Sequence, residues 1–185
     1  MVDYEEILIR AIAQSDHHER VQEIEPAIID AIKNTPIYAP IIEIGNREGG
    51  SAILLMWHSK GRRFYTCDAG ACPKMILEYV PKFDLSDYEH FQMTQREFVT
   101  EHLPAYIGFI YFDADHNRDS VMEDVRTTIP HLVKGAIVAI DDVNMWDTLA
   151  SFEGLEEISY PVDQGAQVGP HGKHIQFFKK TRLWW

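Results

Sequence analysis

Residues 40–51, PIIEIGNREGGS, decide how the chain is read. The run Ile41-Ile42-Glu43-Ile44 is short, apolar and bounded by Pro40 and Gly45, so it reads as a buried strand. Gly45, Gly49 and Gly50 then punctuate a polar loop, and GSAILLMWHSK reads as the helix that follows. Glycine permits the positive φ and the close backbone approach that a sharp strand-to-helix turn requires. A helix starting there points its unpaired N–H groups at an anionic group, either a carboxylate or a phosphate. The spacing is not G-x-G-x-x-G, so the dinucleotide fingerprint is not met, and glycine alone is equally consistent with a plain tight turn.

Outward from this unit the texture repeats. RRFYTCD, YEHFQM, YIGFIYFD and GAIVAID read as further strands. Met75–Tyr79, REFVTEHL and DSVMEDVRTTIPHLV read as the helices between them. Strands alternating with helices imply βαβ units and a parallel sheet covered on both faces. Near the C-terminus, LEEISYPV and KHIQFFKKT are strand-like runs joined by DQGAQVGPHG with no helix between, which predicts an antiparallel hairpin at the sheet edge. Ahead of Pro40, Ile7, Leu8, Ala11 and Ile12 share a helical face. A second helix is expected to start at Pro26, a favoured first-turn residue, and to bury Ile28, Ile29 and Ile32. Residues 1–39 are therefore read as a helical segment of the same domain as residues 40–185.

At 185 residues the chain fits one domain, large enough to bury roughly 70% of its unfolded surface. The formal charge is −12, and basic residues cluster only as Lys60–Gly61–Arg62–Arg63 and Lys179–Lys180–Thr181–Arg182. Binding to phosphate backbones needs larger Lys/Arg clusters, so nucleic acid is not expected as a partner. No apolar window of about 18 residues spans a membrane, and MVDYEEILIR lacks the order of a signal peptide. A soluble, cytoplasmic protein with no membrane partner is expected. Cys67 and Cys72 match no zinc or redox spacing and are read as reduced thiols.

Ligands of an open parallel sheet bind beyond the carboxyl ends of its strands. Those ends carry Gly45 to Ser51, Asp68, Gln95 and Arg96, Asp113 to His116, and Asp141–Asp142. Asp68 either accepts both ribose hydroxyls of an adenosine-containing cofactor or caps the next helix, and the two roles can coexist. Together with the glycine turn it points to such a cofactor. Asp113, Asp141 and Asp142 would repel one another unless a cation sat among them. An oxygen-only set suits Mg²⁺ or Mn²⁺. Asp119, and in part Asp115, are read as caps of the helix that follows. His116 is a candidate base or a structural histidine.

The order strand–EIGNREGGS, strand–CDAG, strand–FDADH, strand–IDDVN and terminal hairpin resembles class I S-adenosylmethionine-dependent methyltransferases. Within them it is most similar to the small metal-dependent O-methyltransferases, of the catechol and macrocin types. The likeness runs from about Pro40 to Thr181. It implies an α/β, Rossmann-like doubly wound seven-stranded sheet in the order 3-2-1-4-5-7-6, with strand 7 antiparallel and N-terminal helices alongside. It implies that Gly45, Asn46, Gly49 and Ser51 hold the methionine part of S-adenosyl-L-methionine while Glu43 braces their loop. Asp68 would take the ribose, and Gln95 and Arg96 would lie against adenine. Asp113, Asp141 and Asp142 would hold Mg²⁺ or Mn²⁺, and Asp115 or His116 would act as base beside Asp113. The implied reaction is O-methylation of a small-molecule acceptor. A lid would come from the N-terminal helices, from Met145–Trp146 or from a partner subunit.

Two rivals stand beside this reading. A D-x-D glycosyltransferase also ends an apolar strand in this way, although the glycine turn and the 141–142 pair do not suit it. A non-catalytic binding module could keep the fold and lose turnover. A nicotinamide-dependent dehydrogenase lacks the necessary glycine spacing. Trp57 is read as core, and Trp146 is one candidate for a wall of an acceptor pocket. Leu183–Trp184–Trp185 would pack on the fold or join a homodimer interface.

Overall fold

The computed structural model describes residues 18–148, 150–160 and 175–182, together with residues 3 and 9. The run IIEI forms β1 (Ile41–Ile44), every residue of which is buried. It lies between β2 (Arg63–Asp68) and β4 (Ile107–Phe112), parallel to both. β3 (Asp87–Gln92) continues the parallel sheet beyond β2, and β5 (Leu132–Ile140) continues it beyond β4. β6 (Leu155–Ile158) and β7 (Gln176–Lys180) form an antiparallel pair, with β7 antiparallel to β5. The sheet has seven strands in the order β3-β2-β1-β4-β5-β7-β6. This is the expected order, and the hairpin lies where the missing helix between two strand-like runs predicts it.

Helices cover both faces. On one, α1 (His18–Lys33), α2 (Gly50–His58) and α3 (Lys74–Tyr79) pack Ala27, Ile28, Ile32, Leu55 and Ile76 over Ile41, Phe109 and Ile137. On the other, α4 (Gln95–Glu101) and α5 (Arg118–Thr128) bring Phe98, Val121 and Val125 onto Ile42, Ile110 and Val138. This double cover explains why β1 and β4 read as continuous apolar runs rather than alternating ones. Among the described residues no helix is long and apolar enough to cross a membrane.

Three local expectations need correction. Pro26 does not start a helix but lies inside α1. A proline in a helix interior costs about 3 kcal/mol, and the burial of Ala27, Ile28, Ala31 and Ile32 beyond it offsets that cost. The stripe is Ala27–Ile28–Ala31–Ile32, and Ile29 is only half-buried. The helix of DSVMEDVRTTIPHLV stops at Thr128, and a 3₁₀ turn containing Pro130 leads directly into β5 at Leu132. The N-cap of α5 is Asn117, whose Oδ1 accepts from the Ser120 N–H at 3.1 Å, and not Asp115 or Asp119. Asp119 instead lies in the first turn, where a negative charge suits the helix dipole. The Ile7–Ile12 face and Leu183–Trp184–Trp185 lie outside the described residues.

Candidate active site

The turn after β1 is built around Gly45. It has φ +93°, and its N–H donates to the Cys67 carbonyl at 2.8 Å. A Cβ at Gly45 would fall 2.2 Å from the Asp113 carbonyl oxygen, so this loop and the end of β4 touch backbone to backbone. Gly49, also at positive φ, precedes the first turn of α2. Arg47 has φ +40°, and its N–H donates to Asp68 Oδ2 at 2.9 Å. The other carboxylate oxygen of Asp68 accepts from the Gly70 N–H at 2.7 Å. Asp68 therefore staples the glycine loop to the loop after β2, and carboxylate lone pairs remain for a ligand.

Two side chains beneath this loop are buried with no full hydrogen bond from the described residues. Asn46 is 2% exposed, and no partner among the described residues reaches its amide oxygen or nitrogen. Glu43 is fully buried, and no donor among the described residues meets either carboxylate oxygen in full hydrogen-bond geometry. Burial pushes its carboxyl up to about 8, with the Asp68 charge adding to the rise and the nearby Ser51 side chain partly opposing it. Because the folded value lies above the unfolded one, near 4.5, the stabilisation from Glu43 is complete at low pH. It is lost as pH climbs through about 8. The ligand-free protein in chelator should therefore show a thermal midpoint that falls between pH 5 and 8. Glu43→Gln should flatten that slope, removing a pH-dependent difference of up to about 5 kcal/mol. An identical slope in both proteins would refute the assignment.

Across the loop, one oxygen from each of Asp113, Asp141 and Asp142 lies within 4.8 Å of the others. Asp113 is held well above the ordinary carboxylate range, first by burial and then by its acidic neighbours Asp141, Glu43 and Asp142. Tyr111 lies two residues before Asp113, so both side chains leave the same face of β4. Its phenol is completely buried, and its pKa is raised well above normal first by that burial and then by the Asp113 and Asp141 charges. Asp142 adopts a left-handed backbone (φ +53°), a conformation that costs a non-glycine residue about 1–2 kcal/mol. Its Oδ2 lies 3.2 Å from His116 Nδ1. His116 is half-exposed, and its carbonyl accepts from Trp146 Nε1 at 3.1 Å.

The structure thus gathers Glu43, Gly45, Asn46, Gly49, Asp68, Asp113, His116, Asp141 and Asp142 along the carboxyl edge of β1, β2, β4 and β5, with Ser51 in the first turn of α2. Asp115 is occupied locally, its Oδ1 accepting from the Asn117 N–H at 2.9 Å. Gln95, in the first turn of α4, is buried between the loop after β4 and α5: its Oε1 accepts from the Asp115 N–H and its Nε2 donates to Asp124 Oδ2 at 2.8 Å. Arg96 turns toward α5, pairing with Asp124 and Glu123 at 3.0 Å each. Trp146 belongs to the apolar layer under α5 and tethers the His116 backbone, whereas Met145 beside it is 63% exposed. Trp57 packs edge-on against Phe83. Sequence reading passed over Tyr111 because FIYF looks uniformly apolar; only its two-residue offset from Asp113 signals a shared face. Asp124 was passed over as one more acid of an amphipathic helix.

A family model described as a methyltransferase domain matches residues 42–143, from within β1 to just past Asp142. The chain belongs to the methyltransferase domain family. No curated protein matches it. Among solved structures, the O-methyltransferase TomG from Streptomyces achromogenes, described in complex with SAM, is similar at TM-score 0.59 and 15% identity, over 98% of this chain and 92% of that one. The N-methyltransferase NodS from Bradyrhizobium japonicum is similar at TM-score 0.58 and 14% identity, over 91% and 99%. An rRNA methylase from Streptococcus thermophilus gives TM-score 0.58 and 12% identity, over 84% and 95%. At these identities the likeness is one of fold. Membership of the methyltransferase family removes the glycosyltransferase and dehydrogenase alternatives.

Proposed function

We propose that this methyltransferase moves the methyl group of S-adenosyl-L-methionine to a hydroxyl oxygen of a small molecule, assisted by a divalent cation. The observation that carries the reading is the convergence of Asp113, Asp141 and Asp142 within 4.8 Å, directly against the Gly45 turn. The donor set fits a hard cation: it is all oxygen, and the Asp141 and Asp142 charges add to the burial that raises the proton affinity of Asp113. The turn fits the methyl donor, since it offers a backbone cradle with no room for a Cβ and an unpartnered Asn46 amide beneath it.

Asp113, Asp141 and Asp142 would hold Mg²⁺ or Mn²⁺, which supplies acidification and orientation of the acceptor hydroxyl. The chain's own residues supply the rest. The Gly45–Ser51 loop and Asp68 would seat the donor, fixing the direction of the methyl–sulfur bond. His116 takes the hydroxyl proton. Its Nδ1 faces Asp142, which orients the ring and leaves Nε2 toward the acceptor. As the C–O bond forms the C–S bond breaks, the electron pair stays on sulfur, and the donor leaves as the neutral thioether. Asp115 is a poorer base, since its carboxylate already accepts from the Asn117 N–H. The net charge of −12 favours a small molecule over RNA as acceptor.

Calorimetry and product analysis test this. S-adenosylhomocysteine should give heat and a UDP-sugar none. Labelled S-adenosylmethionine with Mg²⁺ should methylate hydroxyls within a panel of catechols and sugars, and chelator should stop it. Transfer only to amines, or to RNA, would overturn the O-directed reading. Donor binding without any transfer would leave a non-catalytic module.

A further inference from the structure

Three different elements hold the loop that carries Asp113 and His116. The Asp113 N–H donates to the Ile44 carbonyl of β1 at 2.8 Å. The His116 carbonyl accepts from Trp146 Nε1, beyond β5, at 3.1 Å. Between them the Asp115 N–H donates at 3.3 Å to Gln95 Oε1 on α4. Local structure prepares Gln95 for that contact. Thr94 and Glu97 close a capping box at the start of α4, and Phe98, fully buried three residues on, sets which way the first turn faces. The Gln95 amide has one orientation open to it. Its Nε2 lies 2.8 Å from Oδ2 of Asp124, a fully buried side chain on α5 that pairs through Oδ1 with Arg96 Nε at 3.0 Å. Held beside that cation, the Asp124 carboxylate accepts and does not donate, so the amide nitrogen faces it and the oxygen is left for the Asp115 N–H. Carboxylate, amide and loop N–H form one chain from α5 through α4 to the segment between Asp113 and His116.

We propose that Gln95 is a positioning residue for the removal of the acceptor proton: it acts through the Asp115 backbone to keep His116 in place, and not through contact with adenine. This inference rests on the O-methylation reading with His116 as base, and adds to it a residue that serves the reaction without touching the reacting atoms. Proton transfer needs its heavy atoms within about 3 Å of one another, and a displacement of about 1 Å can cost on the order of 10²-fold in rate. Loss of the Gln95 contact therefore lowers turnover and spares the binding of donor and thioether, which the Gly45–Ser51 loop and Asp68 provide. An adenine contact would do the reverse, weakening both ligands and leaving the chemical step alone.

Turnover and binding separate the two roles. Gln95→Met keeps the length of the side chain and removes both polar contacts. Its kcat for the fastest hydroxyl acceptor among the catechols and sugars should fall by about 10–100-fold, while its calorimetric Kd for S-adenosylhomocysteine and its KM for S-adenosylmethionine stay at the native values. Gln95→Glu alone sets two carboxylates face to face and should lower kcat in the same way. Adding Asp124→Asn exchanges donor and acceptor in that bond, leaves a carboxylate oxygen for the Asp115 N–H, and should bring kcat back to within about threefold of native. This pair also decides the matter if Gln95→Met does not fold. A folded Gln95→Met with native kcat, or one that loses thioether affinity by about tenfold or more, would overturn the proposal, the second by placing Gln95 against the donor. A double variant no faster than Gln95→Glu would overturn it too. Native protein that binds S-adenosylhomocysteine but methylates no hydroxyl would end the O-methylation reading, and this inference with it.

Discussion

Gly45→Ala should abolish measurable S-adenosylhomocysteine binding and lower the thermal midpoint by roughly 5–15 °C. Two costs combine. The alanine must hold φ near +93°, a left-handed conformation that disfavours any Cβ by about 1–2 kcal/mol. Its methyl must also sit where the Asp113 carbonyl oxygen lies 2.2 Å away and the Ala114 nitrogen 2.7 Å away. Backbone atoms cannot rotate aside as a flexible side chain could, so the loop or the end of β4 must move, at about 1–3 kcal/mol for overpacking. For a domain of this size each kcal/mol shifts the midpoint by about 2–4 °C. The displaced segment joins the donor loop to the first metal-ligand candidate, so binding suffers more than stability. Gly61→Ala is the control. Gly61 also has positive φ (+71°), but a Cβ there meets nothing within 4 Å. It should cost only the conformational share, about 1–2 kcal/mol, and leave ligand affinity intact. Equal effects from the two substitutions would show that backbone conformation alone matters at Gly45 and that the loop contact with β4 carries no function.

The contrast between what the sequence shows and what it hides has a physical basis. β1, β4 and β5 are doubly covered, so their apolar runs stand out, and the acids that terminate them mark the functional edge in plain view. Strand spacing is enough to place Glu43, Asp68, Asp113 and Asp141 near one another, because each closes or interrupts a parallel strand. Side-chain direction after the strand is not encoded so simply. Gln95 and Arg96 follow β3 in the first turn of α4, which sends Arg96 to Asp124 and Glu123 on α5. Asp142 faces His116 from a left-handed backbone, a conformation that Asp tolerates better than most residues but that its presence alone does not fix. Pro26 is the complementary case: its local preference for a helix start gives way to the burial of the apolar stripe beyond it.

Asp141→Asn is expected to act in opposite directions on stability and on function, and this separates a metal site from a mere acidic cluster. In chelator, removing the Asp141 charge that helps hold the Asp113 carboxyl above its ordinary range should stabilise the protein by about 1–3 kcal/mol. The asparagine is nearly isosteric, so the packing around it is preserved. With Mg²⁺ the order should reverse. The native protein should gain thermal stability with increasing metal through binding linkage, whereas the variant should show no response, and its methyl transfer should drop by about 10²–10⁴-fold as several kcal/mol of charge stabilisation disappears. His116→Gln provides the counterpart. It should lower turnover by about 10²–10⁴-fold while keeping the metal-dependent rise in midpoint, because the ring orients on Asp142 rather than completing the carboxylate set. If Asp141→Asn destabilises the chelated protein and retains the Mg²⁺ response, the carboxylates are held together by their own hydrogen bonds. The chemistry must then proceed without a cation between them.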